Sequence, residues 1–311
     1  MAGPLIASTP AAPGAVKTGA AALSIASNCL LIALKLAAGA ITGSVAIITE
    51  AMHSSIDLIA SIVAFVSVRK ADKPADEDHP YGHDKIENLA AAIEALLILV
   101  GSGVIVYESV RRLSTAHTEV SSLGVGMAVI AASIVANVAV SGVLARRARA
   151  TDSPALEADA AHLRTDAATS VAVLVGLALV QITGQTWLDP VIALVVAVAI
   201  VTAGVRLLMR ASRVLVDEAL PQEELDAVRD AIAEFGPRGV RGYHKLRARR
   251  AGSRRYVDLH VQFASGTTLE DAHATAHALQ DAIRERLRGA DVLIHLEPEG
   301  SVHPGTEIPP Y

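Results

Sequence analysis

Two pairs of residues in this sequence are spaced for joint chemistry, His53 with Asp57 and His162 with Asp166. Residues four apart in a helix lie on one face, about 6 Å apart along the axis, so each pair can turn two donor atoms toward one point. Two such helices facing each other build a cage of two imidazoles and two carboxylates. Two carboxylates neutralise a divalent cation, and tetrahedral nitrogen and oxygen ligation suits zinc best. Each His and Asp could instead be satisfied separately inside a helix bundle. The recurrence of one pattern in two apolar segments favours the cage.

Two more groups of donors stand elsewhere. The stretch Asp76-Glu77-Asp78-His79-Pro80-Tyr81-Gly82-His83 is dense enough in donors for a second site at Asp76, His79 and His83; an acidic solvated loop is the plain alternative. Toward the C-terminus, His295 and Glu297 are two apart on a predicted strand, hence on one face, opposite Val292, Ile294 and Leu296. His260 points to the polar side of its own strand. His244 and His273 join this group if the fold brings them together, and His277, four residues after His273, is an equal candidate on that helix. Ordinary surface histidines are the competing reading.

These donors are carried by two kinds of chain. Of 311 residues, 52% are hydrophobic and 19% charged, below the ~25% charged residues of a soluble domain. The charge is uneven: residues 214–311 hold 16 Asp and Glu and 12 Lys and Arg, nearly half of the 32 acidic and 27 basic residues in the chain. Residues 18–34, 120–145 and 167–188 carry no charge at all. A bilayer core needs roughly 20 mostly apolar residues as helix, and six spans are expected, at 15–41, 44–70, 84–112, 120–146, 155–182 and 187–211. His53, Asp57, Glu94, His162 and Asp166 then lie at membrane depth, where an ionisable group costs at least ~2.5 kcal/mol and is a functional suspect by default. Lys and Arg are concentrated in the loops at 69–85 and 146–154, which puts both loops and both termini on the cytoplasmic side; Arg111 and Arg112 are the exception. Residues 1–14 form a cytoplasmic tail without the basic start of a signal peptide, so no cleavage is expected. Residues 213–298 read as helix, strand, strand, helix, strand, a small α/β domain, followed by a loose Pro- and Gly-rich tail at 299–311. A net charge of −5, a pI near 6.1 and 3% aromatics exclude a nucleic-acid binder, and the single cysteine, Cys29, excludes an internal disulfide or a cysteine metal site.

From about residue 16 to 298 the chain resembles the cation diffusion facilitator family, bacterial zinc and iron exporters with a metallochaperone-like cytoplasmic domain. The resemblance is carried by Glu50 through Asp57, Pro74 through Lys85, His162 through Asp166, Asp217-Glu218-Ala219-Leu220-Pro221, and His295-Leu296-Glu297-Pro298. It implies a homodimer in the bacterial inner membrane that exports a divalent metal in exchange for protons, a transporter rather than an enzyme. It further implies a transport site at His53, Asp57, His162 and Asp166, a loop site at Asp76, His79 and His83, and a cytoplasmic site at His244, His260, His273, His295 and Glu297, with Zn2+ both cargo and structural ion. Lys85 and Asp217 stand where the family places a charge pair that stabilises the dimer. Some relatives have Asp in place of His53, a difference associated with broader or iron-accepting selectivity, and Glu297 stands where relatives often carry Asp.

Zinc is the expected cargo, with Cd2+, Fe2+, Co2+, Ni2+ and Mn2+ as the other candidates. Two further classes compete: a metal-responsive membrane receptor, which needs no ligand pairs at membrane depth, and a channel, which spans one, four and six are too apolar to line. A metal-bound imidazole must be neutral, so metal and proton compete for one nitrogen, and histidine titrates near pH 6.5. His53 and His162 are therefore expected to exchange protons for metal during alternating access, with the aspartates sharing the protons where burial raises their pKa.

Overall fold

A chain surrounded by lipid must satisfy every backbone polar group within itself, so long apolar runs become helices. The computed structural model describes residues 13–42, 45–115, 123–185 and 187–300, so the expected tails at 1–14 and 299–311 lie mostly outside the described residues. Six long helices occupy the expected spans: α1 (Pro13–Thr42), α2 (Val45–Ala71), α3 (Lys85–Thr115), α4 (Leu123–Thr151), α5 (Pro154–Thr183) and α6 (Leu188–Leu215). Over the described residues five of them, all but α2, are long and apolar enough to cross a membrane. The 27 residues of α2 make it roughly 40 Å long, equal to the task. Several helices outrun their apolar cores: α4 continues through Arg146, Arg147 and Arg149, and α6 through Arg210 and Arg213. Hydropathy marks the greasy part of a helix; hydrogen bonding carries it further.

The bundle is packed as lipid demands. Large apolar side chains such as Leu30, Val100, Val135 and Val195 are exposed, whereas Ser24, Asn28, Ser61, Glu94, Asp159 and His162 are buried. Small residues make the close approaches, with Ala20, Ala21, Ala60 and Ala64 buried along α1 and α2, as expected where packing rather than hydrophobic exclusion drives helix association. Helix α5 packs on α2, α3 and α4, α2 also on α1 and α3, and α4 on α1. At one end of the bundle, Lys17 of α1 bonds Glu87 of α3 at 2.8 Å and reaches Asp72, just after α2, at 3.9 Å. Ser153, the N-cap of α5, also donates to Glu87. That polar knot ties four helix ends together.

The chain divides into two compact units, Met1–Ser212 and Arg213–Tyr311. In the second, α7 (Gln222–Ala233) and α8 (Leu269–Arg286) accompany a three-stranded sheet of β1 (Val240–Ala251), β2 (Arg254–Phe263) and β3 (Ala290–Pro298) in that order. Strands β1 and β2 are antiparallel, β2 and β3 parallel with α8 as the crossover. Val257, Leu259, Val261 and Phe263 pack with Val228, Ile232, Leu279 and Ile283 into one core, so the alternate residues of β2 are left on the polar face. Glu299, the first residue of the expected tail, is held to the sheet: its N donates to Phe263 O at 2.8 Å, and its carboxylate accepts from Ser265 N at 2.9 Å. That bond holds the Glu299 carboxyl below its ordinary pKa. The chain is thus an α-helical membrane protein with a C-terminal αββαβ domain.

Candidate metal centres

The membrane cluster is assembled by α2 and α5. Ser153 caps α5, accepting from Leu156 N at 3.4 Å, and Pro154 starts it; eight residues on, His162 and Asp166 share one face. Asp57 enters from α2. His162 Nε2 lies 3.4 Å from Asp57 Oδ1 and 3.8 Å from Asp166 Oδ2, and neither ring nitrogen of the 6% exposed His162 makes a regular hydrogen bond among the described residues. In a tetrahedral site with bonds near 2.0 Å, ligand atoms sit roughly 3.3 Å apart. The observed spacings match that edge better than a direct hydrogen bond of ~2.9 Å. Residues of these types at these distances fit a divalent cation. His53 belongs to α2, one turn before Asp57, and its side chain lies outside the described residues.

The second cluster lies between α2 and α3. His79 N donates to Asp76 Oδ1 at 2.8 Å, closing a tight turn, and His79 Nδ1 stands 3.1 Å from the same oxygen. His83 Nε2 is 3.3 Å from Asp76 Oδ2, and the two rings lie 4.4 Å apart between centroids. The backbone N–H of His79 is the main reason the Asp76 carboxyl is held below its ordinary value. Asp76 therefore stays a carboxylate at neutral pH, and the turn loses this stabilisation only in acid, as pH falls through that lowered pKa. Asp76 and His79 are exposed, so a metal here would keep water in its shell.

The third cluster is a product of sheet register. His244 of β1 pairs with His260 of β2, which pairs with His295 of β3, one histidine per strand in a row. Their neighbouring ring centroids lie 5.0 Å and 4.5 Å apart, with the ring planes tilted by 42° and 50°. Glu297 reaches all three: 2.7 Å to His260 Nδ1, 3.4 Å to His244 Nε2 and 3.7 Å to His295 Nε2. His244 is buried and the outer edge of the row opens through His295. The register slips between His244 and Arg247, where Lys245 has φ 51°, a left-handed conformation that a non-glycine residue rarely adopts. His273 lies outside this row. It meets His277 on α8 instead, with the two Nε2 atoms 3.1 Å apart, the arrangement their four-residue spacing allows.

Lys85 opens α3, and Asp217, at φ 61°, pairs with Arg249 at 3.0 Å. Sequence reasoning passed over Asp159, one turn before His162 on α5 and wholly buried; its signal was the one that marked Glu94, a carboxylate inside an apolar span.

Residues 21–216 match the cation efflux transmembrane domain, and residues 220–299 match the cytoplasmic domain of cation efflux proteins. The transporter sll1263 of Synechocystis sp. is 38% identical over 279 residues, 89% of each chain. The cation-efflux pump FieF of Cronobacter sakazakii is 34% identical over 269 residues, 86% of this chain and 88% of the pump. The metal-bound C-terminal domain of the CzcD transporter from Thermotoga maritima is 28% identical, covering 27% of this chain and 100% of that domain at a TM-score of 0.24.

Proposed function

The chain belongs to the cation efflux family, the cation diffusion facilitators, and from that premise we propose that it exports Zn2+ across the bacterial inner membrane, as a homodimer, in exchange for protons. The observation that carries this reading is the Asp57–His162–Asp166 cluster, buried in the bundle at spacings that suit a tetrahedral ion. Cargo enters from the cytoplasm, binds the cage completed by His53, and leaves on the outer side when protons take its place on the imidazoles.

The cluster of His244, His260, His295 and Glu297 is the regulatory site: zinc there organises the C-terminal domain and tightens the dimer. The loop cluster is an exposed collecting site. Lys85 and Asp217 supply the charge pair at the junction of the dimer. Both termini are cytoplasmic. Arg111 and Arg112, the exceptions to the basic-loop rule, have their charge offset locally, since both pair with Glu108 and Arg112 also approaches Asp189.

The test is flux. Purified protein in proteoliposomes, offered Zn2+, Cd2+, Fe2+, Co2+, Ni2+ and Mn2+ in turn, should carry Zn2+ fastest and lose that flux with Asp166→Ala. Binding without flux would make the protein a receptor, and metal-independent current would make it a channel.

A further inference from the structure

A second group of acids lies in the bundle beneath the cage. Glu94 of α3 and Asp159 of α5 are both 0% exposed, and they come from helices that pack on each other. Asp159 Oδ1 is held by hydroxyls from two other helices, Ser24 at 3.2 Å and Ser61 at 3.3 Å. Ser24 and Ser61 are themselves 2.9 Å apart, and Asn28 Nδ2 donates to Ser61 at 2.8 Å. The remaining oxygen of Asp159 and both oxygens of Glu94 are buried with no hydrogen-bond partner among the described residues.

Little among the described residues offsets the charge of these acids: the basic side chain that Asp159 feels is His162, which it shares with the cage acids. Lys17 is engaged by Glu87, two helical turns or roughly 10 Å from Glu94 along α3. Lys35 bonds Ser54, which lies on the far side of Asp57 along α2. His162 faces the cage acids. Two buried acids short of cationic partners in a membrane bundle are retained at a steep desolvation cost, and Glu94 has no hydrogen-bond donor among the described residues. Buried acids with open oxygens are arranged for a cation.

Their placement gives that cation a purpose. Asp159 precedes His162 by three residues, roughly 4.5 Å along α5, on the side of the polar knot of Lys17, Glu87 and Ser153. Ser61 stands in the same relation to Asp57 on α2. The order from that end is therefore polar knot, carboxylate pair, cage. We propose that Glu94 and Asp159, with Ser24 and Ser61, form a loading site that holds a divalent cation on oxygen donors alone before it passes to the cage. The inference rests on the reading of the chain as a divalent-cation exporter. Oxygen donors bind a borderline metal less tightly than imidazole does, so transfer from pair to cage runs downhill. The same donor set accepts a hard ion such as Mn2+.

The test uses the full-length chain with the other clusters disabled by His162→Ala, Asp166→Ala, Asp76→Ala, His79→Ala, His260→Ala and Glu297→Ala. Mn2+ binding is followed in detergent by electron paramagnetic resonance, with gel filtration to verify folding. One Mn2+ per chain should remain, and adding Glu94→Gln and Asp159→Asn should weaken it at least ~10-fold. In the otherwise unaltered chain, Glu94→Gln alone should raise the zinc concentration for half-maximal flux more than it lowers the flux at saturation. A background chain that binds no Mn2+, or that keeps it after both substitutions, overturns the loading site. Absence of zinc flux in the unaltered protein would instead defeat the transport reading itself.

Discussion

The membrane cluster and the C-terminal cluster use the same side-chain chemistry in opposite settings. In the bundle, His162 and Asp166 are neighbours in sequence on α5, one partner arrives from α2, and the ligands stand 3.4 to 3.8 Å apart. In the sheet, three histidines come from three strands, neighbouring rings meet at a tilt, and Glu297 already bonds His260 at 2.7 Å. The first arrangement is open, with ring nitrogens left for a cation. The second is partly closed by its own contacts, so a metal must displace a carboxylate–imidazole bond. Such a difference suits a site that passes ions on and a site that keeps one.

Removing a membrane carboxylate should have the largest effect. Asp57→Ala or Asp166→Ala should weaken zinc at the cage by at least ~100-fold and take flux in proteoliposomes to background. Gel filtration should remain unchanged, because only a ligand is lost. Replacing His53 with Asp comes next. A hard oxygen in place of a borderline nitrogen should cut the preference for Zn2+ over Fe2+ or Mn2+ about tenfold, read from competition flux.

Changes in the sheet should act more gently on transport. His260→Ala or Glu297→Ala should slow flux only about fivefold, the size of an ordinary coupling between sites. The same substitutions should remove the zinc-dependent rise in melting temperature of the C-terminal unit. Zinc at about a hundredfold its Kd stabilises a folded form by about 2.7 kcal/mol, a shift that calorimetry resolves readily.

The loop should matter least. Asp76→Ala should change flux less than about threefold at saturating zinc, with its effect confined to low metal concentrations. Because the Asp76 carboxyl is held below its ordinary pKa, it should stay available to zinc through neutral and mildly acid pH, and its contribution should be lost only as pH falls through that lowered value. Titrating the chain with its other two clusters removed reads this directly.

The two regions were also unequally legible in the sequence. Helical ligands four apart declare themselves, because the period of the helix is short and local. The six spans were visible for a related reason, since lipid imposes a run of apolar residues and a minimum length. Sheet ligands are set by register between distant strands. His295 and Glu297 were legible as one face of β3, but the row His244–His260–His295 depends on pairings of residues 16 and 35 apart and on a bulge at Lys245 that no local pattern announces. His273 illustrates the ambiguity, since its four-residue spacing to His277 competed with membership of the row. Helix packing hides information in the same way. Glu94 and Asp159 each look like a lone acid in an apolar span, and only the packing of α3 on α5 shows both inside one bundle interior.

The proposed exchange of zinc for protons runs through the buried cluster of Asp57, His162 and Asp166. Proteoliposomes holding the purified protein, loaded with a pH-sensitive dye and given an outward or inward zinc gradient at zero membrane potential, test it most directly. Zinc moving one way should drive protons the other way, the proton signal should reverse with the gradient, and Asp166→Ala should abolish both signals. Zinc flux with no proton movement in either direction would contradict the account and leave a facilitated-diffusion pathway in its place.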